Sequence, residues 1–218
     1  KRQPHTGGVN LLPSGRNFFG LDPRVLPTKA AWELGKRLGN QVIEQYIADE
    51  GKYPENIGMV FWSGSNMRSH GQCIAEFLYF MGIKPVWEKG SLQVKRLEVI
   101  PLSELMRPRI DVTARISGLF RDTMPTVVEL LDKAVLLAAD LNELEDDNYI
   151  KKHISEESSL MEKSGMTHEE SWRNAAYRIF GDAPGTYGAG VSALLESKNW
   201  QTVDDLADVF VPVSYTHL

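Results

Sequence analysis

Apolar residues recur at helical spacing at Ala31, Leu34, Leu38 and Val42, and Thr28 stands at an N-cap position. A helix is therefore expected from Thr28 to about Ala48, with Gly51 and Pro54 ending it. Ile57-Gly58-Met59-Val60-Phe61-Trp62 is an unbroken apolar run of strand length, the pattern of a strand buried on both faces. Ser63-Gly64-Ser65-Asn66 is expected to turn the chain, and Gly71 to Met81 to form an amphipathic helix stopped by Gly82. Lys84 to Trp87, Val94 to Ile100 and Ile110 to Ser117 are three more strand candidates. Pro125 to Leu141 is apolar on nearly every side, as in a helix packed inside a large protein.

After Asn142 the pattern changes, and residues 148–164, 167–180, 189–197 and 202–210 all read as helices. Thr167 and Glu170 have the spacing of a capping box. The expectation is an α/β fold, a mostly parallel sheet flanked by helices, followed by a helical subdomain. Residues 1–27, with closely spaced Gly, Pro and Asn, form an ordered loop; 28–145 form the α/β domain and 146–211 the helical subdomain. Residues 212–218 lack periodicity and a capping signal, and read as a non-native tail.

Composition narrows the function classes. Hydrophobic residues make up 42% of the 218 and charged residues 24%, enough apolar material for a sizeable core. A net charge of -5 gives no electrostatic reason to expect nucleic acid or an anionic membrane as partner. No apolar run approaches the roughly 20 residues of a membrane-spanning helix. Cys73 is the one cysteine, which rules out an internal disulfide and a thiolate zinc cluster and fits a reducing cytoplasm.

Four clusters carry candidate chemistry. Gly15 to Arg24 places Arg16, Arg24, Asn17 and Asp22 on a Gly-framed loop beside Phe18 and Phe19, groups that bind carboxylates and flat rings. The plainer reading is that Arg and Asp satisfy local backbone groups. Arg107-Pro108-Arg109-Ile110-Asp111 feeds a strand that ends in Gly118 and the pair Arg121-Asp122, where ligands of open α/β sheets bind; a structural ion pair is the alternative. Lys152-His153 and His70 supply imidazoles with no second ligand at helical spacing, so no metal cage is legible. Arg178 to Gly190, including Asp182 and Tyr187, is a glycine-rich connection without the lysine and Ser/Thr of a P-loop and, on this reading, without a preceding strand.

The order, spacing and wording of these clusters resemble the large subunit shared by cobalt and magnesium chelatases. The similar stretches are Pro13 to Phe18, Leu21-Asp22-Pro23, Pro27-Thr28, Arg107 to Val112, Arg121-Asp122, Lys152-His153 and Phe180 to Gly190. Gly15-Arg16-Asn17-Phe18 looks more like the cobalt branch, since the magnesium branch usually carries lysine and isoleucine there. The chain departs from the family at Trp62 to Asn66, where a Gly-Thr-Asp-like turn is common, and at Gln72, where some relatives carry an acid.

The resemblance implies a fragment of a much longer cytoplasmic subunit that holds a tetrapyrrole and a metal ion. Its substrates would be cobalt(II) and hydrogenobyrinic acid a,c-diamide, on the way to cobalamin. ATP would be hydrolysed on separate AAA+ and integrin-I-domain subunits, and the fragment alone would not turn over. The alternatives are the magnesium chelatase subunit acting on protoporphyrin IX and a tetrapyrrole-binding homologue without chelation. On the resemblance, His153, Asp111 and Asp122 would serve proton removal or metal delivery, with His153 as a metal ligand suited to cobalt(II). Arg16, Asn17, Asp22, Arg109, Arg121 and Tyr187 would hold the macrocycle.

Overall fold

The computed structural model describes residues 22–188 and 191–214. Arg16 and Asn17 lie outside the described residues. Thr28 accepts a hydrogen bond from the Ala31 amide and starts α1 (Lys29–Glu50), which Gly51 ends in a left-handed conformation. The buried stripe of α1 is Ala31, Trp32, Gly35, Gly39 and Ile43, one position round from the expected face, and Val42 is exposed. Two glycines on that stripe explain the rotation. A Cβ on Gly35 would lie 2.6 Å from the Ala75 side chain, and one on Gly39 would lie 2.9 Å from the Tyr79 ring. Backbone contact with the next long helix therefore outweighs the larger leucines.

β1 (Asn56–Phe61) leads into α2 (Ser63–Ser69), a helix where a turn was expected, and α3 (Gln72–Phe80) follows. β2 (Ile83–Trp87) and β3 (Val94–Val99) pair antiparallel as a separate two-stranded sheet. After the short α4 (Leu102–Leu105) come β4 (Asp111–Ile116), α5 (Gly118–Thr123), α6 (Pro125–Ala139), α7 (Tyr149–Lys163) and α8 (His168–Ala175). The helix expected over 167–180 stops at Ala175, and Ile179–Gly181 forms a strand, β5. α9 (Val191–Ser197) and α10 (Val203–Ser214) complete the described residues, with α10 extending through Val211 to Ser214.

The main sheet has the order β1-β4-β5, all parallel. Strand alternation sends Val112, Ala114 and Ile116 to one face, where each is fully buried in the core with Phe61, Phe77 and Leu131. It sends Asp111, Thr113 and Arg115 to the other face. β1 departs from the expected two-sided burial: its positions alternate between exposed and partly buried until Phe61, and Val60 is 58% exposed. The cause is its place at the sheet edge. Lying at that edge, β1 has β4 as its single neighbour among the described residues.

Arg109, expected to face a ligand, is instead an internal brace with no exposed surface. Its five N–H donors go to Glu143, through both carboxylate oxygens, and to the carbonyls of Met81, Gly82 and Ile100. A side chain at Gly82 would occupy the space of that guanidinium. The brace ties the α3–β2 corner to the strand that carries the polar face.

Candidate functional site

The polar face of the sheet has two ends, separated by the length of β4, roughly 17 Å at ~3.3 Å per residue. At the amino end, Asp111 is 1% exposed and its carboxylate accepts Nε of Arg178 at 2.9 and 3.0 Å. His153 on α7 places Nδ1 2.9 Å from Asp111 Oδ2. A carboxylate only accepts, so Nδ1 carries the proton and Nε2 is the basic nitrogen of the neutral ring. Nε2 faces Glu55 at 3.7 Å, and Glu55 also receives Lys152 Nζ at 2.9 Å. The Asp111 hydrogen bond raises the His153 pKa above its ordinary value, against the opposing effect of burial. The Lys152 hydrogen bond lowers that of Glu55.

At the carboxyl end, the chain leaving β4 turns at Ser117, whose hydroxyl accepts the Phe120 amide and caps α5. Arg121 donates Nε to Asp122 at 2.6 Å and Nη1 to the carbonyls of Asp182 and Ala183. Tyr187 donates its hydroxyl to the other Asp122 oxygen at 2.6 Å, and the Arg121 guanidinium lies 5.8 Å from the Tyr187 ring centroid. Arg115 reaches across to Asp182 at 2.7 Å. A Cβ on Gly118 would lie 2.6 Å from the Thr186 carbonyl and 2.8 Å from the Tyr187 ring, so the absent side chain is what lets the 183–187 loop close over α5.

This end is open. Tyr187 is 56% exposed, Trp62 is 63% exposed and Asp122 is exposed, while Arg121 is largely enclosed beneath them and its buried Nη2 has no partner. The Arg121 hydrogen bond, then that of Tyr187, holds the Asp122 carboxyl below its usual range, and the same contact raises the Tyr187 hydroxyl. Asp122 is thus an ionised acceptor rather than a strong base, and Tyr187 stays a donor.

The structure therefore joins Arg121, Asp122 and Tyr187 at one end, joins Asp111 and His153 at the other, and leaves Arg109 in the interior. Asp22 stands apart from both, capping a short turn and binding Arg24 and Gln93. His70 sits at the left-handed C-cap of α2. Among the described residues there is no group of three or more His, Cys, Asp or Glu side chains able to hold a metal ion. Sequence reasoning did not single out Glu55 or Arg115, and it placed Arg178 and Asp182 in a candidate cluster without giving either a role. The signal for the last two was the apolar pair Ile179-Phe180 before Gly181, which marks a strand following Arg178 and a loop at its carboxyl end beginning at Asp182.

The glycine-rich connection thus follows a strand after all, at the carboxyl edge of a parallel sheet, where α/β proteins place ligands. The family model CobN/Magnesium Chelatase matches residues 2–216. The chain belongs to the CobN/magnesium chelatase family. It is 52% identical over 206 residues, 94% of its own length, to an uncharacterised protein of Methanocaldococcus jannaschii, of which it covers 17%. It is 43% identical to the aerobic cobaltochelatase subunit CobN of Sinorhizobium sp, over 95% of this chain and 16% of that one. Among solved structures it is similar to the catalytic subunit of cobaltochelatase from Mycobacterium tuberculosis, with 42% identity and a TM-score of 0.80. That match covers 92% of this chain and 16% of the other. The chain spans about a sixth of the length of the relatives it matches. Among the described residues, no helix is long and apolar enough to cross a membrane.

Proposed function

We propose that this chain is part of the tetrapyrrole-binding subunit of a cytoplasmic, ATP-dependent cobalt chelatase that inserts cobalt(II) into hydrogenobyrinic acid a,c-diamide. The observation that carries the reading is the cluster of Arg121, Asp122 and Tyr187 at the carboxyl end of the sheet, in which Asp122 and Tyr187 are exposed. Likeness to cobaltochelatase subunits supports the choice of reaction.

A substrate carboxylate can replace Asp122 on Nε of Arg121. Tyr187 then offers its hydroxyl and an exposed ring edge to the macrocycle. Asp122, ionised, attracts the arriving cation. Arg16 and Asn17 are proposed as further contacts, and ATP is hydrolysed on AAA+ and integrin-I-domain partners. Metal insertion removes two pyrrole N–H protons. His153, made more basic by Asp111, has the chemistry of an acceptor. Its distance from the carboxyl end keeps it from touching the same ring atoms as Asp122. Asp22 and Arg109 are assigned local structural roles, and Asp111 the orientation of His153.

The magnesium reading rests on weaker likeness, 37% identity to the chloroplastic magnesium-chelatase subunit ChlH of rice against 43% to CobN. Titrating the full-length parent with hydrogenobyrinic acid a,c-diamide and with protoporphyrin, followed by ligand absorbance, decides between them. Selective corrinoid binding is expected. Selective porphyrin binding moves the protein to the magnesium branch, and binding of neither removes the tetrapyrrole assignment.

A further inference from the structure

Among the described residues, the outer edge of β1 lacks the protection that strand edges carry. The Glu55 carbonyl accepts the Asp111 amide and the Phe61 carbonyl accepts the Ser117 amide. In a parallel ladder, alternate residues turn both backbone groups toward the same neighbour. Ile57, Met59 and Phe61 therefore face β4, while Asn56, Gly58 and Val60 turn N–H and C=O to the open side. Natural edges are guarded by lysine, proline, a bulge or very short length. The sequence Asn-Ile-Gly-Met-Val-Phe has no charge and no proline, and it runs six residues in unbroken register. Val60 and Trp62 are more than half exposed, and nothing lies within 4 Å of a Cβ built on Gly58. Parallel strands are ordinarily covered on both faces. The relatives meanwhile extend about six times the length of this chain.

We propose that the edge of β1 left open among the described residues pairs with a further strand of the same, longer polypeptide, supplied from outside the described residues and covering Val60 and Trp62. The pairing places that strand's end beside Trp62, giving the carboxyl-end cluster a second wall. This inference rests on the sheet and the length of the relatives, and stands whether or not the ligand is a tetrapyrrole.

Amide hydrogen exchange in the full-length subunit tests it. Gly58 and Val60 are expected to exchange within about tenfold of Ile57 and Met59, since all four amides are then paired. Fast exchange at Gly58 and Val60 beside slow exchange at Ile57 and Met59 overturns the proposal. Val60→Pro removes only the outward donor and is tolerated at a free edge. A lowered melting temperature of the full-length V60P subunit is expected, and an unchanged one contradicts the pairing. Should V60P fail to fold, the exchange pattern of the wild type still decides. Protection that vanishes when a dimer is diluted to monomer assigns the edge to a second copy and overturns the same-chain strand.

Discussion

The two ends of β4 use the same residue types for different ends. At the amino end, Asp111, Arg178 and His153 are largely enclosed, with 1%, 5% and 20% of their side chains exposed. At the carboxyl end, Arg121, Asp122 and Tyr187 form equally short contacts, but Asp122 and Tyr187 stand in solvent. A buried pair is costly to break because removing one partner strands the other away from water, whereas an exposed pair exchanges readily with a ligand. The comparison teaches that an arginine–aspartate pair is legible as chemistry only once its exposure is known.

The largest effect expected is at the enclosed end. Asp111→Ala strands the Arg178 guanidinium and is expected to cost about 3–5 kcal/mol in chemical unfolding. A loss no larger than that of an exposed pair would erase the distinction between the ends. The His153 contact sharpens it through pH. Its folded pKa is raised by Asp111, so its stabilisation is complete below the unfolded value of about 6.5. That stabilisation is lost as pH rises through the folded value. The melting-temperature gap between wild type and His153→Gln is therefore expected to narrow above pH 6.5; a gap that widens contradicts the Asp111 contact.

Gly118→Ala comes next, because its Cβ collides with Thr186 and Tyr187. It is expected to cost about 1–3 kcal/mol and to lower ligand affinity by displacing the loop, read by unfolding and titration together. Smallest is Ser117→Ala, which removes one helix cap for about 1 kcal/mol, measured by thermal unfolding. Affinity unchanged in both variants would detach the carboxyl end from the ligand.

Local patterns were readable wherever a segment was long and periodic: α1, α3, α6 and α7 lie close to their expected bounds. β5 was hidden because three residues are too few to show a period, and a helical reading ran through them. The face of α1 was displaced by Gly35 and Gly39, whose role is close backbone approach rather than apolar bulk. Arg121, Asp122 and Tyr187 were recognisable by type, and their union across 65 positions came from β4 and β5 being neighbours. Arg109 misled because its sequence neighbourhood looks like a ligand loop, while its four partner residues are spread over residues 81–143 and invisible locally. The Asp111–Arg178 pair, 67 positions apart, was hidden for the same reason.

The most direct test is tetrapyrrole titration of the full-length subunit carrying Arg121→Ala or His153→Ala, each checked for folding by its unfolding curve. Affinity lost in R121A and retained in H153A is the expected result and places the substrate at the carboxyl end. Affinity retained in R121A and lost in H153A would contradict the account and move the substrate to the amino end.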